Sequence, residues 1–181
     1  KERLLNLSLA YESHPDNITP AVMGGFNVAS VHENEVKFIT KSIPRTLRAV
    51  VVVPNRPIST TLSRKTLPYK YSKEDTIFNI SHSSLLTAAF MSENWEMLKY
   101  ASADMVHQQF RMRHMPELFE VQKTALKNGA LMSTLSGSGS TFFSVAYSED
   151  SQKLELALKE KFPHFRVMSV DFDNNGVKIE I

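Results

Sequence analysis

The sequence contains no cysteine, which excludes disulfides, thiolate metal sites and cysteine nucleophiles from these 181 residues. It also lacks an excess of charge of one sign: 21 Lys and Arg face 19 Asp and Glu, and the two signs alternate along the chain. Nucleic-acid binding rests on clustered Lys and Arg, so no nucleic-acid partner is expected. No apolar run approaches the ~18 residues of a membrane helix, so no membrane partner is expected either. No stretch reads as a secretory or transit signal, and a cytoplasmic location is the expectation. The histidines at 14, 32, 82, 107, 114 and 164 show no metal-ligand spacing, and no metal site is expected in this chain. Ser136 and Ser138 have no base near them in sequence, which leaves a serine hydrolase unsupported.

What is present is an ordinary globular balance, long enough for one domain or for one domain and part of a second. The chain opens on Lys1, and "ERLLNLSLAY" reads as a helix under way with no capping residue before it. The expectation is therefore the C-terminal part of a longer protein. Residues 12–17 read as a loop, because Pro15 disfavours helical backbone at His14. A short helix then ends at Gly24-Gly25. A hairpin turning at His32-Glu33-Asn34 follows. "RAVVVVPN" at 48–55 has the length and continuous apolarity of a buried strand. Ser72-x-x-Asp75 opens a helix to about Met91, whose spine of Ile77, Ile80, Ser84 and Ala88 is expected to pack. A third helix is expected from Trp95 to near Phe110. Pro116 and Lys127-Asn128-Gly129 mark the ends of another. Two short strands joined by a Gly/Ser loop occupy 131–147, a helix runs from about 150 to 161, and "FRVMSVDF" and "VKIEI" read as strands around an Asp173–Gly176 turn. From residue 48 this is a βαββαβ skeleton with extra helices in the first crossover. The boundary falls near Pro44, between a domain at 1–45 and another at 46–181.

Four constellations could carry chemistry. "HPDN" at 14–17 presents an imidazole, a carboxylate and an amide in a Pro-fixed segment, although an Asp/Asn turn capping the next helix is the commoner reading of such residues. "LSGSGST" at 135–141 allows close backbone approach and offers N–H and hydroxyl groups to anions, but a Gly/Ser hairpin without function looks the same. Arg64, with Thr60 one helical turn before it, and Arg111, beside Arg113 and His114, could each clamp a carboxylate with two parallel hydrogen bonds. Most arginines are merely solvated surface.

These residues together resemble a family. "ESHPDNITPAVMGGF" at 12–26 is similar to the stretch E-G-H-P-D-N-V-A-P-A-x-x-G-G of homoserine kinases, within the GHMP kinase family. "STTLSRKTLP" at 59–68 resembles their S-T-x-E-A-R-x-x-L-P, and "FRMRHMP" at 110–116 their R-x-x-L-x-P. "LSGSGST" resembles the third GHMP motif, S-G-S-G-P-T, with Ser140 in place of Pro, which is expected to loosen the turn. The resemblance implies an α+β fold: a ferredoxin-like C-terminal domain preceded by the tail of a ribosomal-protein-S5-domain-2-like domain. It implies ATP-dependent phosphorylation of the L-homoserine side-chain hydroxyl, a step of threonine biosynthesis, with Mg²⁺ as the metal that accompanies ATP. It assigns His14 and Asp16 to the substrate ammonium or hydroxyl, with Asn17 helping to hold that substrate-binding loop and Asp16 as the catalytic candidate. Thr60 would stand close to the acceptor, Arg64 and Arg111 would clamp the carboxylate, and Ser136, Gly137, Ser138, Gly139 and Thr141 would buttress the pocket. The family's P-x-x-x-G-L-G-S-S-A phosphate motif is not among these residues, so the chain alone is expected to be inactive. Two alternatives remain open: a GHMP kinase for another small alcohol, and a non-catalytic ferredoxin-like regulatory or dimerisation module. A homodimer is compatible with either.

Overall fold

The computed structural model of the protein describes residues 1–56, 63 and 65–178. These fall into two units: Lys1–Arg45 with the chain from Phe172 onward, and Thr46–Asp171.

The first unit starts with helix α1 (Glu2–Ser8) and helix α2 (Pro15–Met23), followed by the hairpin β1 (Phe26–His32) and β2 (Glu35–Lys41). Glu33 and Asn34 both take positive φ (50° and 63°), the twist that a two-residue antiparallel turn requires. Leu5, Val22 and Val36 form a small buried core, with Ile18, Phe38 and Val177 packed on it. Pro15 is the first residue of α2 rather than part of a loop. Its ring removes an N–H that would have no helical partner there, and only His14 before it keeps extended backbone (φ −103°, ψ 125°).

The segment 173–177 docks into the end of α2. Gly24 has φ +81°, and a Cβ there would stand 2.5 Å from Asn174 C and 2.6 Å from the backbone N of Gly176. The missing side chain thus lets two backbones meet. Gly25 N donates to Asp173 O at 2.8 Å and Val177 N to Val22 O at 3.2 Å. Asn174 completes the clasp: its Oδ1 accepts from Ile43 N (2.8 Å) and its Nδ2 donates to Ile43 O (2.9 Å). The segment from Phe172, placed by sequence pattern in the second domain, therefore belongs with the first unit. Its described residues Val177 and Lys178 form no strand; Val177 N donates to Val22 O and its side chain packs on the small core.

The second unit begins with β3 (Leu47–Val53), then the long helix α3 (Lys73–Ser92), a 3₁₀ turn (Trp95–Met97), α4 (Leu98–Ala101), α5 (Gln108–Met112), α6 (Glu117–Lys127), β4 (Met132–Leu135), β5 (Phe142–Tyr147), α7 (Ser148–Lys161) and β6 (Arg166–Val170). Its four strands are all antiparallel in the order β4-β5-β3-β6, the ferredoxin-like arrangement expected from the βαββαβ order. The apolar run is the reason β3 is central: it pairs on both sides and buries Val50 and Val52 completely. Those two share a core with Phe142, Val167, and Leu118, Val121, Leu154 and Leu158 from α6 and α7.

Both outer strands have their free edges closed by side chains. Gln108 Oε1 accepts from Leu135 N (3.1 Å) and Gln122 Nε2 donates to Ser133 O (2.8 Å) on β4. Glu155 Oε2 accepts from Ser169 N (3.0 Å) on β6. Bare edges invite pairing with other chains, and these contacts remove that opportunity.

Two helical expectations need correction. The α3 spine does not pack: Ile77 and Ile80 are 56% and 62% exposed. The inward residues are Phe78, Asn79 and, near the end, Ala89 and Phe90. Apolar residues occur on both faces of α3, so their spacing alone could not choose the buried one. The helix expected over 95–110 is broken at Ser102–His107, for a reason that belongs to the site described below.

Gly24→Ala is expected to destabilise the protein by about 1–3 kcal/mol from the left-handed backbone alone, with a further loss as the clasp is forced open. A urea denaturation midpoint checks this, and an unchanged midpoint would mean that the clasp opens without cost.

Candidate functional site

The loop between β4 and β5 is the centre of the second unit's polar constellation. It closes on itself through Ser136 N to Thr141 O (2.9 Å) and Gly139 N to Ser136 O (3.0 Å). Gly137 and Gly139 hold φ of +56° and +85°, which other residues rarely adopt. With its own groups turned this way, the loop offers carbonyls outward, and three neighbours take part in bonds with it. Ser63 Oγ, fully buried, donates to Ser138 O at 3.1 Å. Arg111 Nη1 donates to Gly137 O at 3.1 Å. Ser140 Oγ donates to Arg56 O at 2.7 Å. Ser140 is 5% exposed, so the residue expected to loosen the turn instead anchors it with a bond that proline could not make.

Arg111 sits near the end of α5, and α5 is held by Asp104. The Asp104 carboxylate accepts from Val106 N (2.9 Å), just before the helix, and from His107 N (2.9 Å) and Gln108 N (2.6 Å), donors left unpaired at the helix start. It also accepts from Asn79 Nδ2 of α3 at 2.9 Å, while Asn79 Oδ1 accepts from Met105 N at 2.8 Å. This is what breaks the expected long helix: the aspartate offers the backbone better partners than the continuing helix would. Burial pushes the Asp104 carboxyl upward. The His107 ring and the N–H groups of Gln108, Val106 and Asn79 outweigh burial and hold it well below the usual carboxylate range. Tyr71 adds a second strut, with its hydroxyl donating to Val106 O at 3.0 Å and its ring edge-on to Phe110.

In the first unit, His14 is the residue before α2, and Pro15, Asp16 and Asn17 form its first turn. His14, Asp16 and Asn17 are all exposed. The His14 ring makes no capping bond, and Asp16 Oδ1 accepts only from the adjacent Asn17 N (3.1 Å) among the bonds seen there. A carboxylate in the first turn is favoured by the helix dipole. Pro20, inside α2, has no N–H to give to the Asp16 carbonyl. The triad thus stands at a helix start with its side chains directed to solvent. Thr60 and Arg64 lie outside the described residues. Ser63 and Arg56, which flank them, are the described contacts of that segment with the loop.

The sequence singled out Arg111 and the Gly/Ser loop, which the structure brings together, and gave Ser63, Asn79, Asp104 and Gln108 no role, while Ser140 was expected only to loosen the turn. Asp104 had a legible signal, an acidic residue three positions before a possible helix start. The others are recognisable only by their partners.

Residues 83–164 match the family model "GHMP kinases C terminal". That match lies within the second unit. The chain is 80% identical to a homoserine kinase of Aliarcobacter butzleri over 181 residues, covering all of this chain and 62% of that protein. It is 53% identical to a homoserine kinase of Helicobacter pylori (strain J99) over 180 residues, 99% of this chain and 61% of that one. Homoserine kinases are thus its homologues from end to end, and the chain spans about three fifths of the length of these curated relatives. Among solved structures it is similar to homoserine kinase from Cytophaga hutchinsonii, with TM-score 0.84 and 23% identity over 93% of this chain and 56% of that one. It is also similar to L. major mevalonate kinase in complex with R-mevalonate, with TM-score 0.65 and 19% identity over 95% of this chain and 59% of that one. At these identities the likeness is one of fold.

Because the folded carboxyl of Asp104 titrates below its unfolded value, its stabilisation is complete above the unfolded pKa, about 4. It is lost as pH falls through the lower folded value. The stability difference between wild type and Asp104→Asn should therefore be constant from pH 8 to about pH 5 and shrink below about pH 4. Urea denaturation across that range checks this, and a difference independent of pH would contradict it.

Proposed function

We propose that the complete protein is a homoserine kinase, transferring the γ-phosphoryl group of ATP to the side-chain hydroxyl of L-homoserine in threonine biosynthesis. The observation that carries this reading is the 80% identity to a homoserine kinase over the entire chain. In the reaction the homoserine oxygen bonds to the γ-phosphorus, the bond to the β–γ bridging oxygen breaks, ADP leaves, and the hydroxyl proton passes to a nearby acceptor. Such transfers depend mainly on positioning and on charge stabilisation.

The residues take these roles. Arg111, whose Nη1 donates to Gly137 O, and Arg64 are the two guanidinium groups that would clamp the substrate carboxylate. Asp16 and His14 meet the ammonium or orient the hydroxyl, with Asn17 beside them, and Thr60 stands near the acceptor. Ser136, Gly137, Ser138, Gly139 and Thr141 shape the wall that carries Arg111. Residues 1–45 are the tail of the N-terminal domain of the family, and the protein works in the cytoplasm. Mg²⁺ bound with ATP would neutralise charge developing on the phosphates. Among the described residues no group of three or more His, Asp or Glu could hold a metal ion, so no residue of this chain is assigned to it. The Gly-Leu-Gly-Ser-Ser phosphate motif is not among the 181 residues, and these residues alone are proposed not to turn over.

The complete protein should release ADP with homoserine and not with mevalonate, read in a coupled assay. Arg111→Ala removes a charged hydrogen-bond partner worth roughly 1.5–3 kcal/mol, so the homoserine KM should rise about 10- to 150-fold. An unchanged KM would remove Arg111 from the substrate. Asp16→Asn should lower kcat while cooperative melting is kept; loss of cooperative melting would return Asp16 to a purely helix-stabilising role.

A further inference from the structure

The region between α3 and the Gly/Ser loop contains more buried polar connection than a crossover needs. Asp104 accepts four hydrogen bonds from three backbone N–H groups and one amide, and its side chain is 13% exposed. A capping aspartate ordinarily satisfies one or two donors at one helix. Here a single carboxylate joins the start of α5 to the middle of α3. The next residue in the chain of contacts, Gln108, is held by its backbone N to Asp104 (2.6 Å) and by its side-chain Oε1 to Leu135 N (3.1 Å). Leu135 is the last residue of β4, directly before the loop. Three residues beyond Gln108, Arg111 returns to the same loop at Gly137 O. The loop is therefore tied twice to one short helix, and that helix is fixed at its start by Asp104.

This geometry has a mechanical consequence. A helix of five residues has little cohesion of its own, since isolated helices this short do not persist in water. The orientation of Arg111 is set by whatever holds the two ends of α5. At one end that is Gly137 O, and at the other it is the Asp104–Asn79 pair together with Gln108. Removing Asp104 leaves three backbone donors and an amide unpaired, and α5 can then rotate or fray under Arg111.

We propose that Asp104, braced by Asn79 and relayed through Gln108, is a positioning residue that sets the guanidinium of Arg111 for the substrate carboxylate. The role rests on the kinase reading above. It assigns Asp104 no contact with substrate; it acts through α5. Its signature is selective. A substrate bearing a carboxylate should suffer when Asp104 is removed, and an amino alcohol without one should suffer less.

The test uses the complete protein and two acceptors, L-homoserine and 3-aminopropan-1-ol, which is homoserine without its carboxylate. In Asp104→Ala the ratio of kcat/KM for homoserine to that for 3-aminopropan-1-ol should fall about tenfold, mainly through the homoserine KM. Gln108→Met, which keeps the Asp104 cap but cuts the bond to Leu135 N, should lower the ratio in the same direction by a smaller factor. It decides the matter alone if the Asp104 variant does not fold. A ratio unchanged in the folded variants, with both acceptors losing rate together, would overturn the positioning role while leaving the kinase reading intact. A wild-type protein silent on homoserine would overturn the kinase reading and the positioning role with it.

Discussion

The carbonyl groups of Ser138 and Gly137 each receive one side-chain donor, and the hydroxyl of Ser140 gives one bond back to Arg56. Those three bonds give the second unit its polar centre. The two serine bonds are worth only about 1 kcal/mol net each, but leaving a buried partner unmade costs more than making the bond gains. Ser63 and Ser140 are buried, so their bonds are close to obligatory. The two left-handed glycines make this possible by turning the loop's carbonyls outward. A loop of other residues would have to spend strain to present the same face.

The surrounding fold serves that loop. β4 and β5 supply rigid ends, because both belong to an antiparallel sheet whose central strand is buried on both sides in the pairing direction. The glutamines that close the β4 edge also fasten α5 and α6 to it, so the protection of the edge and the placement of Arg111 use the same atoms. In the first unit a comparable economy operates. Two glycines at the end of α2 admit the backbone of the chain's last described segment, and the helix so clasped is the one that begins with Pro15, Asp16 and Asn17. In the first unit the helix carrying the polar motif is held by backbone contacts distant in sequence, and in the second by side-chain hydrogen bonds.

That last point explains what the sequence made legible. The order of elements along the second unit followed from the apolar run at 48–53, the Ser72 cap and the Gly/Ser loop, all local signals. The cap is seen, with Asp75 N donating to Ser72 Oγ at 2.9 Å. Arg111 and the loop were found because motif spacing is local too. The break at Ser102–His107 was missed because helical periodicity does not register a carboxylate that competes for backbone donors. The exposed spine of α3 was misassigned because that helix has apolar residues on both faces. The clasp between Gly24 and Asn174 was invisible, since it joins two turn signals about 150 residues apart, each of which is explained well enough by itself. Ser140 shows the limit of motif comparison: a departure from the family pattern read as a loss of rigidity, and its hydroxyl replaced the ring with a bond.

The central claim is that the Gly/Ser loop aims Arg111 at an amino-acid carboxylate. A crystal structure of the complete protein with bound L-homoserine tests it most directly. The account predicts the homoserine carboxylate within hydrogen-bond distance of the Arg111 guanidinium while Nη1 still donates to Gly137 O. A carboxylate held by other groups, with Arg111 bonded to the loop alone, would contradict it.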